Sequence, residues 1–165
     1  MLRLSERAAT GMKKVTAALL LLLLLLLSAC GKVNTEAFDI ANQKTQEYVE
    51  LMAKHDTDGT YAMLYPGGID RDSYETICAQ SEEYCPITPD YALEMQQYDI
   101  YSKMGGKEEK RDIVSILYQL RFDGKTYYIS VVYQITEEEQ GFTSFHIMNE
   151  QDFAAANKQN INNRK

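Results

Sequence analysis

Between residues 112 and 136 the chain reads as two β-rich runs, Asp112 to Phe122 and Lys125 to Thr136, joined by Asp123-Gly124. An Asp-Gly pair in that place predicts a two-residue type I′ hairpin, because both central positions of the turn need positive φ, which these residues tolerate. A two-residue turn also sets the register: Phe122 opposite Lys125, Leu120 opposite Tyr127, Tyr118 opposite Ile129, Ile116 opposite Val131 and Val114 opposite Tyr133. Only Lys125 among them is charged, so this face is built for a core and shows no acid in the hairpin. The other face mixes Ser115, Gln119, Arg121, Ser130 and Gln134 with Leu117, Tyr128 and Val132, and is predicted to be mostly wet.

Upstream the period is helical. From Thr35 to Lys54, Phe38, Ala41, Thr45, Tyr48, Val49 and Met52 recur at three- and four-residue spacing, which predicts one amphipathic helix. Asp56-Thr57-Asp58-Gly59 breaks it, and Asp58 is placed to cap a short helix, Thr60 to Tyr65, that stops at Pro66-Gly67-Gly68. Asp72-Ser73-Tyr74-Glu75 has the form of a capping box, opening a third helix that ends near Glu83. A strand from Leu93 to Lys103 and a last one from Phe142 to Asn149 complete the expected domain, over residues 35–150. Residues 151–165 are expected to be a disordered polar tail.

Helices first and an antiparallel meander after them predict an α+β domain with N-terminal helices packed on a curved antiparallel sheet. The long first helix, the break at His55-Asp56-Thr57-Asp58, the short Ala62-Met63-Leu64-Tyr65-Pro66 segment, a third helix and the Gly141-Phe142-Thr143-Ser144-Phe145 strand follow in that order. In this layout the chain resembles the cystatin-like, NTF2-like superfamily, especially small bacterial lipoproteins. The resemblance implies a cone between helices and sheet. It implies no single activity, since the fold hosts isomerases, dehydratases, binding modules and transport factors.

Residues 1–29 carry Lys13-Lys14, an apolar run from Val15 to Leu27 and then Ser28-Ala29, the layout of a signal peptide. Its 13 residues from Val15 to Leu27 fall short of the roughly 20 that span a bilayer as a helix. Met12 makes a more natural start for such a segment than Met1. Leu27-Ser28-Ala29-Cys30 resembles the lipobox of bacterial lipoproteins. That resemblance implies a diacylglyceryl group on Cys30 Sγ, cleavage before Cys30, palmitate-type acyl chains in the membrane and residues 30–34 as a lipidated tether. Gly31 is not the Asp that retains many lipoproteins at an inner membrane, so display on the extracytoplasmic side of a cell or outer membrane is expected.

Without the first 29 residues the chain holds 13 Lys and Arg against 23 Asp and Glu. A net charge of −10 lacks the basic footprint of a phosphate-backbone binder, so nucleic acid is not expected as a partner. Cys78 and Cys85 remain once Cys30 is assigned to lipid, and an even count in an exported protein makes a disulfide the expectation, with two free thiols as the alternative. The bridge requires the third helix to end between them, because seven residues of helix separate Cα atoms by about 10.5 Å, beyond the ~7 Å that a disulfide spans.

No P-loop, GxSxG, HExxH or Cys-His nucleophile pair occurs, and no cofactor or metal is expected. His55-Asp56-x-Asp58 fails the EF-hand spacing and reads as a helix-terminating turn. His146, sharing a face with Phe142, Ser144 and Met148, is a candidate general base if that face lines the cone, with Tyr118 as a hydrogen-bond donor and Asp99 as the other acid candidate. A half-exposed sheet histidine is the favoured reading. Twelve tyrosines suit a core with wet hydroxyls. The expectation is therefore a non-enzymatic envelope lipoprotein that binds a small ligand or another envelope protein. The alternatives are an NTF2-like isomerase- or hydrolase-type enzyme using His146, and a structural accessory subunit of a surface complex.

Overall fold

The computed structural model of the protein describes residues 35–105 and 108–162; the signal segment, Cys30 and the tether lie outside them. Three helices, α1 (Thr35–Ala53), α2 (Thr57–Ala62) and α3 (Arg71–Tyr84), precede four strands, β1 (Ala92–Gly105), β2 (Glu108–Phe122), β3 (Lys125–Ile135) and β4 (Gln140–Asn149), and α4 (Glu150–Asn162) follows. The strands form one antiparallel sheet in the order β1-β2-β3-β4. This is the expected α+β arrangement, and it is consistent with a cystatin-like or NTF2-like layout.

The β2–β3 turn has φ of 49° at Asp123 and 69° at Gly124, and every pair from Phe122–Lys125 to Val114–Tyr133 stands in the register that a two-residue turn dictates. The inward residues Val114, Ile116, Tyr118, Leu120, Phe122, Tyr127, Ile129, Val131 and Tyr133 are all buried. Against them α1 packs Ala37, Ala41, Thr45, Tyr48 and Val49, the stripe its periodicity predicts. Small residues at 37, 41 and 45 let the helix lie close. Thr45 Oγ1 donates to the Ala41 carbonyl at 2.8 Å, which satisfies its buried hydroxyl. Tyr118 reaches through the core to donate to Asn42 Oδ1 at 2.6 Å. The space expected as a cone is thus filled by side chains, with Tyr118, Phe122 and Tyr127 at 2%, 4% and 7% exposure.

Both helix caps fall two residues earlier than expected. Asp56, not Asp58, caps α2, accepting from Gly59 N–H at 2.8 Å. Asp70, not Asp72, caps α3, accepting from Ser73 N–H at 2.9 Å and Ser73 Oγ at 2.7 Å. Both chain segments offer two Asx caps in close succession, and the earlier one adds residues to the helix.

Residues 150–162 are helical rather than disordered. Asn149 Oδ1 accepts from Asp152 N–H at 2.9 Å, Glu150 and Asp152 sit in the positive first turn, and Phe153 stacks on Tyr128 of the outer sheet face at 3.8 Å. The inward face also carries an acid after all: Asp112, one pair beyond the predicted core ladder, is 7% exposed and accepts from Ser102 Oγ at 2.6 Å, with Lys110 Nζ 3.8 Å away.

β4 departs from simple alternation. The register shifts between Val132 and Tyr133, leaving Thr143 as an extra residue, so that Phe142 and Phe145 both pack inward while Ser144 and His146 pair with Val132 and Ser130 on the other face. The free edge of β4 is covered at Phe142, whose N–H donates to the Met63 carbonyl at 3.0 Å and whose carbonyl accepts from Tyr65 N–H at 2.9 Å. Gly141 permits this approach: a Cβ there would lie 2.5 Å from Tyr65 N and 2.6 Å from the Leu64 carbonyl carbon. Gly141→Ala must push backbone from backbone and is expected to destabilise the fold by about 2–3 kcal/mol in urea unfolding; a change within about 0.5 kcal/mol would contradict this clamp.

Candidate functional site

The helix α3 stands away from the sheet. Tyr74 is its one buried residue, and Ile77, on the same helix, is 48% exposed. Its C-terminal end is tied down by Tyr84, whose hydroxyl accepts from Asn149 N–H at 2.8 Å and donates to Asp152 at 2.7 Å, while Tyr127 donates to the Tyr84 carbonyl at 3.4 Å. At the other end Pro66-Gly67-Gly68 turns the chain away from β4, with Gly67 at φ 72°. Between these two fastenings lies a cleft of about 320 Å³. Tyr48 and Met52 of α1 form its floor, Tyr74, Ile77, Cys78 and Ser81 of α3 one wall, and Phe142 to Phe145 of β4 the other.

No charged side chain lines it. Tyr48 and Tyr74 place their hydroxyls 2.7 Å apart, and the Tyr48 ring packs on Phe145 at 4.5 Å and Phe142 at 5.0 Å. Burial pushes the Tyr48 phenol up to about 12, and burial with the neighbouring Tyr48 pushes Tyr74 upward as well. The Cys78 thiol is also pushed up, chiefly by burial. Tyr48, Tyr74 and Cys78 are therefore neutral at physiological pH. Such a site supplies apolar contact and hydroxyl donors; it holds no general base to move a proton.

The cation nearest in the chain to this wall, Arg71, is held by Asp58 and by Glu75 at 2.6 Å, with its guanidinium 5.0 Å from the Tyr61 ring centroid. His55, at φ 57°, ends α1 and puts Nδ1 3.0 Å from Glu82 Oε1. His55, Asp56 and Asp58 thus have separate partners and form the polar turn read from sequence. Among the described residues no group of three or more His, Cys, Asp or Glu is placed to hold a metal ion.

The two acid-base candidates do not face the core. His146 is exposed on the outer sheet face beside Ser130. Asp99, also exposed on that face opposite Ser115, accepts from Tyr101 OH at 2.6 Å and from Ile100 N–H at 2.9 Å. His146 is thus the sheet histidine of the favoured reading, and the Thr143 bulge corrects only its grouping with Phe142, which lies on the opposite face. The residues that do build the cleft, Tyr48, Tyr74, Ile77 and Phe145, carried only a core signal in sequence.

Cys78 and Cys85 are free. The helix runs unbroken through Tyr84, with Cys85 as its C-terminal cap, so the expected disulfide is excluded by helical rise. Cys85 is buried and pushed up to about 12 by that burial, while Cys78 is half-buried at the cleft. Mass spectrometry after alkylation without reductant should find Cys78 modified first and Cys85 only on unfolding; an oxidised pair resistant to alkylation would contradict the helix geometry.

Raised phenol values tie stability to alkaline pH. The unfolded chain loses its tyrosine protons near 10, before folded Tyr48 does near 12, so the stabilisation is whole below pH 10 and is lost as pH rises through 12. Tyr48→Phe should cost about 1 kcal/mol at neutral pH and flatten the alkaline decline; an unchanged slope would contradict a buried Tyr48 hydroxyl.

No protein-family profile, curated protein or solved structure matches this chain.

Proposed function

We propose that this protein is a lipid-anchored binding module of a bacterial envelope, facing the extracytoplasmic side, which captures a small ligand or an apolar group of an envelope protein in the cleft between α3 and β4. The observation that carries the reading is the contrast between a filled inner face and an open, uncharged cleft of about 320 Å³ beside it. That size falls within the usual range for small-molecule sites, and its apolar lining with a few placed hydroxyls has the usual chemistry. Lys13-Lys14, the leucine run and Leu27-Ser28-Ala29-Cys30 support the anchor. Two acyl chains on Cys30 would hold the domain at a membrane surface stably, where one would be marginal.

The neutral state of Tyr48, Tyr74 and Cys78 favours capture over turnover. A second reading, an accessory subunit of a surface complex, is supported by Met95, Tyr98 and Tyr101 of β1, which are 41%, 48% and 54% exposed. The cleft reading is preferred because it joins shape, chemistry and depth in one place.

A neutral naphthylamine dye that brightens in apolar surroundings tests the cleft. Capture should weaken at least about tenfold in Ser81→Phe, which fills the cleft from α3, with the thermal midpoint unchanged; equal capture by both chains would place binding elsewhere. For the anchor, Cys30→Ser should abolish fatty-acid labelling and membrane retention, and persistent labelling would overturn it.

A further inference from the structure

We propose that the occupant of the cleft is a free, neutral, mainly hydrocarbon molecule carrying a single hydroxyl or carbonyl oxygen, and that carboxylate analogues of the same shape are excluded. The inference rests on the cleft being the binding site and adds the class of ligand. Its lining has aromatic and aliphatic walls, Phe142, Phe145, Met52 and Ile77, with hydroxyls from Tyr48, Tyr74, Ser81 and Ser144.

Charge decides against an anion. A carboxylate entering this space would leave water without a cation to meet it, a cost of several kcal/mol for an unpaired buried charge. The guanidinium on the same helix, Arg71, already serves Asp58 and Glu75 and the Tyr61 ring. Glu82, one residue beyond Ser81, adds negative charge near the α3 wall. A cation fares no better, since no carboxylate lines the cleft.

One oxygen can be served. The Tyr48 and Tyr74 hydroxyls, 2.7 Å apart, use one of their two protons on each other. The Ser81 and Ser144 hydroxyls of the lining supply donors to an alcohol or carbonyl oxygen. At about 320 Å³ the cleft lies at the small end of ligand sites, which suits one short chain or ring system.

Cys78 is a native reporter, because it lines the cleft, whereas Cys85 is buried in the core. The compact unit from Asn34 onward holds its whole described core between Ala37 and Phe142, so it can be studied without the anchor. Alkylation of Cys78 by N-ethylmaleimide, read by mass spectrometry, is measured with added decanol or with decanoate at a pH where the acid is ionised. Decanol should protect Cys78, and decanoate should need at least about tenfold more. Ile77→Lys, a change at an exposed position of the cleft wall, should bring decanoate to within about threefold of decanol by adding the missing cation.

Equal protection by the two compounds, or no narrowing in Ile77→Lys, would overturn the neutral class while leaving the cleft as the site. Protection by neither, in a chain that still captures the naphthylamine dye in its cleft, would also overturn the class. Loss of dye capture itself would bring down the binding reading beneath it.

Discussion

The register of the β2–β3 hairpin is the constraint on which the rest depends. Asp123 and Gly124 accept left-handed backbone, the turn closes in two residues, and nine apolar side chains from Val114 to Tyr133 fall on one face. A slip of one residue would bury Ser115, Gln119 and Ser130 in their place. With the face fixed, α1 has one stripe to meet, and the large rings of Tyr118, Phe122 and Tyr127 close the space where a cone would open. The consequence is functional: the middle of the inner face is filled, so the open space lies at its β4 end, between α1, α3 and β4.

That site exists because α3 is fastened at its ends and not along its length. Tyr84 joins α3, β4 and α4 through one hydroxyl, and the Met63–Tyr65 segment clamps the β4 edge at Phe142. Between them the wall of α3 faces β4 across open space, lined by rings and hydroxyls whose protons are held firmly. A cleft of this kind discriminates by the desolvation of charge, which is a steep criterion, more than by hydrogen-bond pattern.

The hairpin, α1 and the α+β order were legible in sequence because turn chemistry and hydrophobic period point the same way there. The bulge at Thr143 was not, since Phe142 and Phe145 break the alternation that places His146, and only the packing of two rings shows that both belong inside. The helix α4 was missed for a similar reason: Asn149, Glu150 and Asp152 give a cap and an acidic first turn, but the helix is held by Phe153 stacking on Tyr128, a contact between distant segments. Asp112 was legible by parity alone, two residues before Val114. For Cys78 and Cys85, compartment arguments pointed to a bridge, and the continuity of a helix that Pro86 ends only after Cys85 rules it out.

The most direct test of a cleft between α3 and β4 as the binding site is a map of backbone amide shifts as the neutral naphthylamine dye is titrated into the compact unit. The account predicts changes concentrated at Ile77, Cys78 and Ser81 and from Thr143 to Phe145, with Asp99, Ser115 and Ser130 on the outer face unmoved. Changes centred on those outer-face residues beneath α4, with α3 silent, would contradict it.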